Sequence, residues 1–500
     1  MKKLKDTFKN KAKGFIIENY PAIILLMLLT FYFVYQHIAF QSWDFSAYVL
    51  NAKYLFYGGT YFETLRPPLA AVLLGLFLFL SKYGEFLYII CVSIFFLFTT
   101  KKLSEAIYEN LKPKIIDKHQ FMFLFYFFSI GGFTLVYGLK EGSELLSLAL
   151  FELFLWAFIK NRNSGIYIGL AFLTRYNYMI FIPFLFINKN YKKVIKNIAI
   201  FLIIISPWLI FNYLKFGNFF ASILDAYYNN IGMRGYIYTP FNILSLLEVM
   251  GLFLPFCIVG LIDAITSLVK RKKDEFNKNK ISILFGIIAV ITIFLYIKIP
   301  LKDLRYLFTL ILPISYFSVI GIKLMFERLK LNKKSITLIL LALMLLFMFT
   351  FNIIAIKTDA YTPKENKYYN AAKDIERLGI ENCEILSPHW VLVTYYTENV
   401  YPLGGASLDY GIKANKITLI FKNEATLDDR FDLNKISKQN ILYESADYIF
   451  VSKENFSIER CSKKYTYDST YLKDYCEKLS SSFRSYNKTA LNICKYINKR

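Results

Sequence analysis

Apolar residues in this chain come in long unbroken runs, without the strict alternation of a half-buried strand or the narrow stripe of a surface helix. PAIILLMLLTFYFVYQHIAF starts at residue 21, and runs of similar character recur over the first 360 positions. At roughly 18 residues or more, each can cross a hydrocarbon core of about 30 Å. The pattern predicts crossings at 20–40, 85–100, 120–137 and 144–160, two short helices within 165–187 that turn near Arg175, and then 196–213, 241–263, 281–298, 305–325 and 335–356. The fold class expected is therefore a polytopic α-helical membrane protein of about eleven transmembrane helices. LAAVLLGLFLFL, after Pro68, is expected to run along or dip into the outer leaflet. Taking 68–82 as a full span and 165–187 as a single one keeps the later parity, but it puts the basic stretch 101–118 outside, so the first count is preferred.

Charge orients this array. The net charge of +23 is concentrated in short loops: MKKLKDTFKNKAKGF at the start, then 101–118, 188–193, 269–280 and 327–334. That is what the positive-inside rule produces, and no loop carries a groove-reading motif, so nucleic acid is not the expected partner. The N-terminus is expected in the cytoplasm of a cell whose plasma membrane the chain crosses, with the C-terminal part outside. The first run has no small-residue cleavage site and is read as a span, not a signal peptide.

Beyond about residue 360 the polar residues rise and no span-length run remains. Residues 1–356 are read as a transmembrane domain with an outer loop at 41–84, and 357–500 as an extracytoplasmic α/β domain. CEILSPHWVLVTYYTENVYPL, ANKITLIFK and ADYIFVSKE read as short strands between helical pieces. Four of the six cysteines, Cys383, Cys461, Cys476 and Cys494, fall here and fit one or two disulfides or ordinary thiols. Asn455 and Asn487 head sequons. Three histidines in the whole chain argue against a His-based metal site.

Ionisable groups at helix ends are costly and point to function. On this topology Asp44, Arg66, Glu141, Glu144, Arg175, Arg234, Lys302, Asp303 and Arg305 gather on the outer side. Guanidinium forks bind phosphate oxygens, and a carboxylate can accept a proton or orient a hydroxyl. The set suits a phosphate-bearing substrate held in the membrane. No Gly-rich nucleotide loop is present.

Four stretches resemble the GT-C superfamily of polyprenyl-phosphate-dependent glycosyltransferases. They are SWDFSAYVLNAKYLFYGGTYFETLRPPL in the first outer loop, GIYIGLAFLTRYNYMIFIP, SPWLIFNYLKFGNFF and LKDLRYLFTLILP. Order and spacing over about 20–325 are similar to the branch containing protein O-mannosyltransferases and the lipid A aminoarabinose transferase. The resemblance implies a single-sugar transfer from a dolichyl or undecaprenyl phosphate to a lipid, glycan or protein acceptor, with inversion. Asp44 would be the catalytic base, and Glu141 or Glu144 the second acidic position. Arg66, Arg175 and Arg305 would hold the carrier phosphate, with Arg234 as a further candidate. Relatives carry EKPP where this chain reads ETLRPPL, and more often Asp at the second acidic position. No WWD-type motif is present, so no cofactor and no metal are expected.

Each residue also has a structural reading: a helix cap for Asp44, a solvated turn for Glu141 and Glu144, snorkelling for Arg66, and interfacial anchoring for Arg305. Glu152 is expected to be hydrogen-bonded inside the bundle. A multi-span transporter or flippase is the alternative function, although no internal repeat supports it. An inactive GT-C scaffold is the third reading.

Overall fold

The computed structural model describes residues 2–39, 42–111, 113, 116–187, 190–227, 229–230, 239–269, 276–300, 302–328, 366–397, 400–402, 416–422, 440–453, 456, 461 and 467–469, with isolated positions between 335 and 346. Arg234, the span expected at 335–356 and both sequon asparagines lie outside this set, apart from those isolated positions.

Helix α1 (Lys2–Ala39) breaks at Asn19, and its apolar part begins there. Next come α2 (Trp43–Tyr57), β1 (Tyr61–Glu63), α3 (Pro68–Phe77) and α4 (Lys82–Leu111). They are followed by α5 (Lys118–Ser129), α6 (Gly132–Tyr137), α7 (Glu144–Ile159) and α8 (Gly165–Thr174). A 3₁₀ helix (Tyr176–Phe186) leads to α9 (Tyr191–Phe216), α10 (Ala221–Tyr227), α11 (Leu244–Met250), α12 (Leu254–Val269) and α13 (Phe276–Lys298). A second 3₁₀ helix (Leu304–Leu310) continues into α14 (Ile311–Arg328).

Among the described residues five helices are long and apolar enough to cross a membrane: Asn19–Ala39, Lys82–Leu111, Tyr191–Phe216, Asn279–Lys298 and Leu304–Arg328. Helices α11 and α12, bent by 99°, would make a sixth if counted together. The difference from the expected eleven has local causes. The 120–137 run is split at Ile130–Gly131 into α5 and α6, and the 241–263 run turns at Gly251; the 165–187 run breaks at Arg175, whose backbone is extended, where two short helices were expected to turn. Apolar composition marks these runs but does not register the breaks at Ile130–Gly131 and Gly251.

Most of the chain to α14 shares one core. Its tightest seam joins α12 to α14, where a Cβ on Gly260 would lie 1.9 Å from the Phe317 carbonyl oxygen and one on Gly321 would lie 2.0 Å from that of Phe256. Two helix backbones meet there because neither residue has a side chain.

After residue 366 come α15 (Lys367–Arg377), β2 (Ile385–Ser387), α16 (Trp390–Thr394), β3 (Val400–Pro402), β4 (Ile417–Phe421), β5 (Ile441–Glu444), β6 (Tyr448–Val451) and β7 (Tyr467–Ser469). Five strands form a mixed sheet in the order β3-β2-β4-β6-β5, with β2 parallel to β3 and β4, and β6 antiparallel to β4 and β5. Cys383 is disulfide-bonded to Cys461. The WVLVT stretch expected as strand is the helix α16. It must serve two cores: Val393 packs into the sheet cluster, while Val391 packs with Ala47, Leu50 and Tyr61.

Three further contacts tie this part to the helices beneath. Trp390 stacks edge-on to Trp43 at 4.7 Å, the Tyr395 hydroxyl donates to Glu85 Oε1 at 2.6 Å, and β7 pairs in parallel with β1. Glu85 Oε2 also meets His37 Nε2 at 2.7 Å.

Candidate active site

Asp44 stands in the first turn of α2, where Ser42 caps the helix by accepting from the Phe45 N–H at 3.0 Å. A carboxylate is favoured at a helix N-terminus. Here it also bridges two arginines, one oxygen 2.7 Å from Arg66 Nη2 and the other 2.6 Å from Arg305 Nη1. Burial alone would raise the Asp44 carboxyl; Arg66 and Arg305 outweigh it and hold the group below the usual carboxylate range.

Arg66 precedes two prolines that start α3, so its backbone cannot join that helix. Its guanidinium is aimed by Glu63, whose Oε2 accepts from Nε at 2.8 Å. Glu63 is clamped in turn by Asn51, which donates to its carbonyl at 2.9 Å and accepts from its N–H at 2.7 Å. Arg305 is seated by Asp303, which caps the 3₁₀ helix through Oδ1 and accepts from the guanidinium through Oδ2 at 2.6 and 2.8 Å.

The tight turn between α6 and α7 supplies the other acids. Gly142 adopts φ +89, and a Cβ there would sit 2.9 Å from the Phe45 ring. Tyr88 donates to the Gly142 carbonyl at 2.6 Å, fixing Glu141 and Glu144 on either side. Glu141 Oε2 is 3.6 Å, and Glu144 Oε1 3.9 Å, from Arg305 Nη1. Glu144 is fully buried and pairs directly with Arg175. The Glu141 carboxyl is pushed up to about 7, first by burial and then by the charge of Asp44.

Six of the seven candidate residues therefore meet in one network, and the seventh, Arg234, is outside the described set. Lys302 does not join them: its Nζ donates to the carbonyls of Ile297 and Ile299 at the end of α13. Glu152 lies apart as well, accepting from Thr99 at 2.6 Å and Thr100 at 2.9 Å. The sequence reading did not single out Glu63, Asn51 or Tyr48, whose ring lies 5.8 Å from the Arg66 guanidinium carbon. Glu63 opens ETLRPPL three residues before the arginine, and that spacing was the available signal. Among the described residues no group of three or more His, Cys, Asp or Glu is arranged to hold a metal ion.

The arginines border a cavity of about 350 Å³ with a charged end at Asp44, Arg66, Arg175 and Arg305 and an apolar wall that includes Ile180, Ile223, Leu295 and Ile299. Asn177, Asn229 and Asn230 add neutral polar groups. Behind the wall, Asp225 on α10 is buried and neither carboxylate oxygen has a hydrogen-bond partner; burial, then the charge of Glu63, pushes it well above the usual range. No apolar residue type in α10 announced it.

No family model and no curated protein matches the sequence. Two solved structures do match in fold. ArnT from Cupriavidus metallidurans bound to undecaprenyl phosphate is similar with TM-score 0.60 and 10% identity, over 88% of this chain and 98% of that one. The same protein in the apo state gives TM-score 0.50 at 10% identity and equal coverage. The chain has the GT-C fold of these structures.

Proposed function

We propose that this chain is an integral-membrane glycosyltransferase that moves one sugar from a polyprenyl phosphate carrier to a lipid, glycan or protein acceptor at the outer face of the plasma membrane. The observation that carries the reading is Asp44 held between Arg66 and Arg305 at the charged end of an apolar-walled cavity. The ArnT fold supports it, since the more similar of the two neighbours is bound to undecaprenyl phosphate. That fold does not favour a transporter.

In this reading the carrier phosphate docks on the guanidinium forks and the first prenyl units lie along the apolar wall. Asp44 starts as a poor base because two arginines hold its charge. When the forks turn to the phosphate, Asp44 is released and its affinity for a proton rises. The acceptor hydroxyl or amine then attacks the anomeric carbon and gives its proton to Asp44, while the bond from that carbon to the phosphate oxygen breaks. The electron pair leaves with the phosphate, whose growing charge the arginines stabilise. The configuration inverts. The positive charge needed at the leaving group comes from side chains, so the transfer is read as metal-independent.

The test is transfer of label from a set of radiolabelled polyprenyl-phosphate sugars to membrane extract, with purified wild type beside Asp44→Asn. Label that moves only with wild type supports the reading and names the donor. Label that moves equally with both removes Asp44 as base, and no transfer from any donor removes the enzyme.

A further inference from the structure

Helix α8 carries Arg175 at one end, and at the other, about 15 Å away at 1.5 Å per residue, lies a second cavity of about 310 Å³. It falls within the range of small-ligand sites, about 300–1,000 Å³. Its lining combines apolar residues, Phe158, Phe184 and Ile187, with polar ones, Arg162, Ser164 and Asn197. Its floor is fixed: Asn197 is buried, and its Oδ1 accepts from the Ser164 N–H at 3.1 Å and the Gly165 N–H at 3.4 Å.

Arg162 sets this cavity apart. Its guanidinium carbon lies 4.9 Å from the Trp156 ring centre, and among the described residues it has no carboxylate partner. No acidic residue occurs along the chain between Glu152 and Asp225, a stretch that also carries Lys160, Arg162, Lys192, Lys193 and Lys196. Lys160 is already paired with Glu109, and Lys193 donates to the Asn161 carbonyl, so Arg162 is the cation on the cavity wall with its fork unspent. An aromatic face holds a guanidinium without neutralising it.

We infer that this cavity binds the phosphodiester headgroup of an anionic phospholipid, with Arg162 forked onto the phosphate and the apolar residues against the start of the acyl chains. A lining that pairs one cation with several apolar side chains matches a molecule that carries both a charge and carbon chains. Inorganic phosphate shares the first feature and lacks the second, which separates the two sources.

The experiment is native mass spectrometry of the full-length protein in detergent, titrated with phosphatidylglycerol, phosphatidylcholine or inorganic phosphate. Wild type is compared with Arg162→Gln, Arg162→Lys and, as a control away from both cavities, Arg377→Gln. The expected result is preferential retention of phosphatidylglycerol, weakened about tenfold or more in Arg162→Gln. Arg162→Lys should recover part of it, and Arg377→Gln should bind like wild type. Equal retention of phosphatidylglycerol by wild type and Arg162→Gln overturns the site. Inorganic phosphate binding as tightly as the lipid overturns the lipid as its occupant. Arg162 is exposed, and matching elution profiles and helicity of the variants show that a loss is not unfolding.

Discussion

The two ends of α8 hold arginines in opposite ways. At the Arg175 end three guanidiniums are shared among Asp44, Glu63, Glu141, Glu144 and Asp303, so each fork is spent before any ligand arrives. At the Arg162 end the one nearby acid named above, Glu109, is paired with Lys160, and the Arg162 guanidinium rests on an indole. On the proposed function a ligand at the first end displaces carboxylates, which costs affinity but frees a base. The ligand inferred at the second end has no carboxylate on Arg162 to displace among the described residues. The lesson is that arginine count alone does not describe an anion site; the distribution of its counter-charges does.

Asp44→Asn tests this comparison most severely. On the proposed function it leaves the network's shape but removes the proton acceptor, and transfer should fall by about 10²–10⁴-fold, read as initial rate with labelled donor. A loss of similar scale is expected in Arg66→Gln, on the order of 10²–10³-fold, because one donor to the departing phosphate is gone. Its carrier affinity should fall as well, unlike that of Asp44→Asn. Glu144→Ala breaks a fully buried pair and leaves Arg175 uncompensated, which should cost about 3–5 kcal/mol and show as a lower melting temperature in detergent.

Glu141 sharpens the comparison through pH. Its carboxyl is raised from 4.5 to about 7, so the folded protein binds a proton there that the unfolded chain has lost. Stability from this group is fully present below the unfolded value and is lost as pH rises through about 7. Melting curves of wild type should therefore fall between those values, and Glu141→Gln should flatten that limb. Tyr395→Phe is the mildest change: it removes one hydrogen bond to Glu85, for about 1 kcal/mol or somewhat more, measured by thermal melting.

Much of the Arg175 end was legible in the sequence because its charges stand at the ends of apolar runs or, for Arg175, inside one, where a charge is conspicuous, and because the stretches around most of them resemble a known superfamily. Asp44, Arg66, Glu141, Glu144, Arg175 and Arg305 all stand out this way, and the structure brings them together. The supporting residues were hidden for the opposite reason. Asn51 sits inside α2 and looks like an ordinary polar residue until the backbone of Glu63 folds onto it. Asp225 follows ASIL at the edge of a loop, and only burial makes it unusual. Valine-rich α16 reads as strand because local propensity knows nothing of the two cores it must join. The break at Gly251 and the α12–α14 seam depend on glycines that in an apolar run carry no distinct signal.

The pairing of β1 with β7 joins a segment made early in synthesis to one made hundreds of residues later. At about 5–20 residues per second, the ribosome needs roughly 20–80 s to travel from one to the other. Through that interval the segment carrying Glu63 and Arg66 lacks its partner strand. The order of manufacture thus acts as a timer: the helices insert first, and the arginine end is finished last.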